Sequence, residues 1–192
     1  MRKSMNDLLE LAKLIKDEKL RKKTVELLKD FEAFNEDFRL EKQKFAEAYG
    51  GPSQFHHAYK GGLLDHTYSV TKLCIEIAKV LKEIYKAEIN MDHLICAALL
   101  HDLAKVYCFE KRGASVVHKD VPLDHVVWTA CELYAREFPK EVIHCVAAHA
   151  GKEGTTLPQT IEAWILFYAD AIDSIIHASF FQQRKVIVLL GE

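Results

Sequence analysis

The run IEAWILFYADAIDSII, residues 161–176, sets an aspartate, Asp170, in the middle of an apolar segment with helical spacing. A carboxylate on a buried helix face is costly unless it is paired or bound to a metal. Any fold of this chain must therefore bring a cation or a polar cluster to Asp170. The same conflict recurs in the helix expected over residues 91 to about 107. That helix is apolar nearly all round through Leu94, Ile95, Ala97, Ala98, Leu99, Leu100 and Leu103, which marks it as the central buried helix, yet it carries His101 and Asp102 towards its C-terminal end. A fourth ionisable side chain, His66, falls one turn inside a helix expected over residues 63 to about 87. Successive helix residues point about 100° apart, so His101 and Asp102 can both reach one ion while the second oxygen of Asp102 stays free for a neighbour. Imidazole combined with carboxylate suits Mn, Fe, Co, Ni or Zn, whereas an all-oxygen set would suit Mg or Ca. Taken alone, the doublet is weak evidence and reads more readily as a helix histidine bonded to a backbone carbonyl. What singles it out is its company: His66, His125, His149 and Asp170 each lie inside an expected helix or at its end.

A chain of 192 residues, 49% hydrophobic and 28% charged, can bury one sizeable core and is short for two. The expectation is a single all-α domain over residues 1–192: N-terminal helices to about residue 50, a bundle over 55–181 and an apolar tail over 182–192. Ser4 with Asp7 resembles a capping box ahead of Leu8, Leu11 and Ile15. A second helical pattern, with Phe31, Phe34, Phe38 and Phe45 on its stripe, runs from residue 18 to about 49, where Gly50, Gly51 and Pro52 stop it. Asn90 and Thr160 are placed to cap helices, while Pro122 and Pro139 are placed to start them. The tail sequence KVIVLL suits a short strand or a packing arm.

Five cysteines form no CxxC pair, and Cys74, Cys96, Cys131 and Cys145 fall in apolar helical patterns, so buried reduced thiols are expected. No apolar run approaches the roughly 18 residues of a spanning helix, and no signal segment is visible, so a cytoplasmic protein without a membrane partner is expected. Two segments could serve a substrate. The loop over residues 53–62 offers His57 and Lys60, and the connection over 109–121 carries Lys111, Arg112, His118 and Lys119 around Gly113. The latter reads either as a lid over an anionic substrate or as an exposed loop. Lys105 lies on the face of His101 and Asp102 and can point a cation into the site.

The segments FHHAYKGGLLDHTYSV, LLHDLAKVY and LPQTIEAWILFYADAIDS resemble the HD superfamily of metal-dependent phosphohydrolases, and more closely the HD domain of YhaM-type 3′ to 5′ exoribonucleases, over residues 55–174. No OB-type nucleic-acid domain of the kind those enzymes carry precedes it in this sequence. The resemblance implies an HD-domain helical bundle. It also implies a first divalent transition metal, firmly bound by His66, His101, Asp102 and Asp170, and room for a second held by Asp102, His125 and His149. Where that branch has two adjacent histidines, this chain reads His149-Ala150, which implies a weaker second ion or one completed by water, His118 or substrate. The implied activity is hydrolysis of a phosphoester of a nucleotide or short oligonucleotide by metal-activated water. Asp102 and Lys105 would be the catalytic residues, and His57, Lys60, Lys105 and Arg112 would bind substrate. Two alternatives from other classes stay open: a di-iron oxygenase with the same ligands, and a nucleotide-binding regulatory module with impaired catalysis.

The net charge of −2 supplies no basic excess for a long polynucleotide. The sequence leaves the oligomeric state open. Each phosphate contact steepens the salt dependence of binding, so turnover is expected to change less than about threefold between 50 and 200 mM salt. Steeply salt-dependent binding to long RNA would overturn that reading of the charge.

Overall fold

The computed structural model describes residues 3–181, and the expected apolar arm in the tail lies outside them. The fold is all-α. Helix α1 (Met5–Ala12) opens on the capping box of Ser4 and Asp7 and buries Leu8, Leu11 and Ala12. Helix α2 (Glu18–Lys29) is capped by Asp17, whose carboxylate accepts from the Leu20 N–H. Helix α3 (Gly62–Tyr85) is the longest, and α4 (Met91–Leu100), capped by Asn90, is its apolar neighbour. Helix α4 packs against α1, α2, α3, α7 and α8, which makes it the central element. Its all-round apolar sequence requires that position.

After α4 the chain makes turns through residues 101–104 and the single turn α5 (Lys105–Cys108). The continuous helix expected to residue 107 is therefore broken where His101 and Asp102 sit. The basic connection is a small antiparallel hairpin, β1 (Phe109–Arg112) with β2 (Ser115–His118), pairing Phe109 with His118 and Arg112 with Ser115. Gly113 turns it at φ +59. Helix α6 (His125–Ala135) begins three residues after Pro122, because Asp124 rather than the proline forms the cap and accepts from the Val126 and Val127 N–H groups. Helix α7 (Lys140–Ala148) follows Pro139, and α8 (Ile161–Ile176), capped by Thr160, continues into a π turn, His177–Phe181.

The helix expected over residues 18–49 ends at Lys29. Beyond it the segment is non-helical apart from two short 3₁₀ turns, Glu36–Phe38 and Phe45–Glu47. Tertiary acceptors explain the difference. The Ala33 N–H donates to the Tyr107 hydroxyl, the Phe34 N–H to the Glu132 carboxylate and the Gln43 N–H to the Val106 carbonyl. The phenylalanines still pack, since Phe31 meets Tyr107 edge-on at 5.7 Å and Phe38 meets Trp128 at 5.3 Å, but Phe34 is exposed.

Two smaller expectations also change. Cys131 is exposed, on the side of α6 away from the core, whereas Cys74, Cys96, Cys108 and Cys145 are buried and unpaired. Residues Ile161–Phe181 are, by length and composition alone, long and apolar enough to cross a membrane. The inner face of that segment packs on α3, α4 and α7 and carries Asp170 and Asp173, so it serves here as a wall of the domain.

Glu132 is 4% exposed and takes the Phe34 N–H, the Trp128 indole N–H and Arg136. Removing one member of a buried charged network leaves the others without partners. Glu132→Ala is therefore expected to lower stability by about 3 kcal/mol in urea unfolding. A loss below about 1 kcal/mol would mean that this carboxylate does not hold the 30–44 segment to α6.

Candidate metal centre

Four side chains from three elements converge where α4 ends. His66 lies in the second turn of α3, His101 is the C-terminal cap of α4, Asp102 follows it, and Asp170 lies midway along α8. His66 and His101 are fully buried and Asp102 is 2% exposed. His66 Nε2 lies 3.2 Å from His101 Nε2, 3.3 Å from Asp102 Oδ2 and 3.1 Å from Asp170 Oδ1, and His101 Nε2 lies 3.3 Å from Asp102 Oδ2.

Proton positions follow from the outer hydrogen bonds. His101 Nδ1–H donates to the Ala98 carbonyl at 2.9 Å, and His66 Nδ1–H donates to Asp173 Oδ2 at 2.7 Å. A neutral imidazole with its proton on Nδ1 presents a lone pair on Nε2. The two Nε2 lone pairs thus face each other and two carboxylate oxygens, which repels unless a cation lies among them. Both oxygens of Asp102 are buried without a properly directed hydrogen bond, although Lys105 Nζ is 2.6 Å from Oδ2. Tetrahedral ligands about 2.1 Å from one ion stand about 3.4 Å apart, and the observed separations are of that size. The residues fit a divalent metal.

A second trio shares Asp102. His125 Nε2, from the first residue of α6, is 3.3 Å from Asp102 Oδ1, and His149 Nε2, from the C-terminal cap of α7, is 3.6 Å from it. His149 Nδ1–H donates to the Val146 carbonyl at 2.7 Å, which again turns a bare Nε2 inward. These three residues also form a group able to hold an ion.

Electrostatics agree with the geometry. Burial acts to lower the pKa of His66, but the carboxylates of Asp102, Asp170 and Asp173 together hold it well above the usual histidine value. Burial acts to raise Asp102, yet Lys105 and then His101 hold it well below the usual carboxylate range. Asp170 is likewise depressed against burial, chiefly by His66. His125 is pushed down to about 3 by burial and by Lys105.

His66, His101, Asp102, Asp170, His125, His149 and Lys105 are thus brought together. Lys60 is not, since its exposed ammonium pairs with Glu47 at 3.0 Å. Arg112 is exposed on the hairpin and pairs with Glu110 at 2.6 Å. His118 packs on Phe109 and lies outside both trios. His57 is buried and lies 3.5 Å from Asp173 Oδ2. Sequence reasoning missed Asp173, the carboxylate that orients His66. Its spacing three residues after Asp170 on one helix face was the available signal.

The HD domain family matches residues 63–175. The chain is 44% identical over 172 residues, 88% of its length and 69% of the other protein, to the dihydroneopterin 2′,3′-cyclic phosphate phosphodiesterase of Methanocaldococcus jannaschii. It is 33% identical over 126 residues, 65% of its length and 20% of the other protein, to ribonuclease Y of Desulforamulus reducens. No solved structure matches. The chain belongs to the HD domain family. It is a phosphohydrolase, an enzyme acting on phosphoester bonds, with a His/Asp set suited to divalent metal.

Partners that orient metal-ligating histidines typically carry 10- to 100-fold in metal affinity. Asp173→Ala is expected to weaken the first ion about 10- to 100-fold in a competition titration and to leave the trio of Asp102, His125 and His149 unchanged. Wild-type affinity at the first site would remove Asp173 from the supporting shell.

Proposed function

We propose that this protein hydrolyses a small phosphodiester, with a 2′,3′-cyclic phosphate on a heterocycle-bearing polyol or ribose as the favoured class, at a centre able to hold two transition-metal ions. The observation that carries the reading is the sharing of one buried carboxylate, Asp102, by two sets of inward-facing imidazole nitrogens with Lys105 beside it. The cyclic phosphate named in the phosphodiesterase that shares 44% identity supports the substrate class. The mixed imidazole and carboxylate set supports Mn, Fe, Co, Ni or Zn.

When bound, such an ion lowers the pKa of a coordinated water from 15.7 towards about 7. The chain's own residues do the rest. Asp102, held ionised, can accept a proton from an attacking water. Opening the five-membered ring forms a P–O bond to the water oxygen and breaks one ring P–O bond; the leaving oxygen takes up the proton that Asp102 accepted, which frees one hydroxyl and leaves a phosphomonoester on its neighbour. Lys105, only 7% exposed and aimed at Asp102, is the cation available to the phosphoryl oxygens. Removing a single preorganised charge from such a site costs about 10² to 10³ in kcat. Buried unpaired thiols at Cys74, Cys96, Cys108 and Cys145 support a reducing, cytoplasmic setting.

The test combines substrates with variants. Activity on 2′,3′-cyclic nucleotides should exceed that on phosphomonoesters by at least about tenfold, and Lys105→Ala should lower kcat about 10²-fold. Asp102→Ala strips both sites and should abolish turnover and release all metal. His149→Ala should keep the first ion and lose turnover, because the charge supplied at the second site is gone. Full activity of His149→Ala at limiting metal would show that a single ion suffices.

A further inference from the structure

Helix α8 is packed on one side only. Its inner face sets Ala163, Leu166 and Ala169 into the core and directs Asp170 and Asp173 at His66. On the other side Trp164, Tyr168, Ile172, Ile175 and Ile176 recur at helical spacing and remain exposed. Phe180 and Phe181 of the following π turn extend the exposed apolar run, at 74% and 72% exposure. Residues 163–181 contain no lysine, arginine or glutamate, and both of their aspartates are engaged by His66, so the outer stripe carries no charged side chain.

The size of this face calls for an occupant. At these exposures the seven side chains present roughly 700 Å² of apolar surface, since a whole aromatic side chain offers about 150–250 Å². Monomeric proteins rarely expose a contiguous apolar patch larger than a few hundred Å². Part of the face is also ordered in advance. The Trp164 and Tyr168 rings stack at 5.7 Å between centroids, and Phe167 meets them at 6.0 and 5.0 Å. Large aromatic side chains of this kind supply the anchors of protein interfaces, and rings held in place lose little freedom when a partner arrives.

We propose that this face is the contact between two copies of the chain, with the two α8 helices antiparallel about a two-fold axis at Ile172. Two such faces together bury about 1,400 Å², within the roughly 1,200–2,000 Å² of stable interfaces. The axis sets Tyr168 against Ile176 of the partner subunit, twice over, and brings Trp164 to Phe180 of the partner subunit. An uncharged stripe offers no charge pattern by which to select a different protein, whereas a two-fold contact needs only that the patch fit itself. A membrane surface is the weaker candidate. Helices that lie in a bilayer interface carry lysine and arginine beside the apolar face, and residues 163–181 have neither.

The contact borders the metal centre. Phe181 and His177, at the end of α8, line a pocket of 550 Å³ together with Tyr68 and Asp173, and Asp173 bonds His66 Nδ1 at 2.7 Å. Trp164 of the partner subunit, packed on Phe180, therefore rests beside the mouth of that pocket. The helix that holds Asp170 and Asp173 against His66 is in turn supported from behind by its own copy.

In sedimentation equilibrium at micromolar concentration, the full chain is expected at twice its 22.0 kDa mass. Tyr168→Lys and Ile176→Glu each set a charge against an apolar partner and should each weaken the dimer at least about 100-fold. Both positions are exposed in the single protomer, so the two variants should keep the wild-type circular dichroism spectrum. An equimolar mixture of the two should regain dimers, because the introduced ammonium then faces the introduced carboxylate across the axis; a misfolded variant could not give that recovery. A wild-type monomer would overturn the assignment, and one that cosediments with anionic phospholipid vesicles would give the face to a membrane. A dimer that survives either substitution, or a mixture that stays monomeric, would equally overturn it.

Discussion

Asp102 is a carboxylate at 2% exposure whose oxygens find no directed hydrogen bond, and most of the bundle is arranged around that fact. An isolated buried charge of this kind would cost several kcal/mol. It is sustained by Lys105 one turn along and by imidazoles delivered from α3, α4, α6 and α7. Two of those imidazoles are aimed by a shared device. His101 and His149 each stand at the C-terminal cap of a helix and each donate Nδ1–H to a carbonyl three residues back, Ala98 and Val146. Last-turn carbonyls lack partners within a helix. The same bond that satisfies the helix end therefore fixes the tautomer and turns Nε2 towards Asp102.

His66 cannot use that device, because it lies in the second turn of a 24-residue helix. Its Nδ1–H is held by a side chain instead, Asp173 on α8. A carboxylate makes the ring more basic than a carbonyl would, and the two carboxylates of α8, one turn apart, then grip both nitrogens of the same ring. The packing of α3 on α8 thus also fixes the geometry of the candidate first metal site, where Asp170 and Asp173 meet His66.

What the sequence made legible was local. Ser4, Asn90 and Thr160 cap the helices they were expected to cap, because a cap needs only its next three residues. Asp170 betrayed the site because no apolar helix tolerates an unpaired carboxylate. Tertiary competition hid the rest. Residues 30–49 carry a helical stripe, but Tyr107, Glu132 and Val106 take backbone N–H groups that a helix would have used internally. Lys60 and Arg112 read as free cations in sequence, and each is satisfied by a glutamate close at hand. The left-handed turn at His57 had no signal beyond the glycines near it, since its conformation is imposed by close backbone approach at Gly62.

Asp173 gives the two halves of the site a physical connection. It lines the pocket beside the metal centre and also bonds the ring that faces the first metal position, so a donor arriving from a ligand competes with His66 for the same carboxylate. Sharing a hydrogen-bond acceptor weakens each bond it accepts and lowers the basicity of the ring it supports. Any donor that reaches Asp173 from the pocket side would therefore act on the orientation and basicity of His66, without any movement of the helices that carry the two residues.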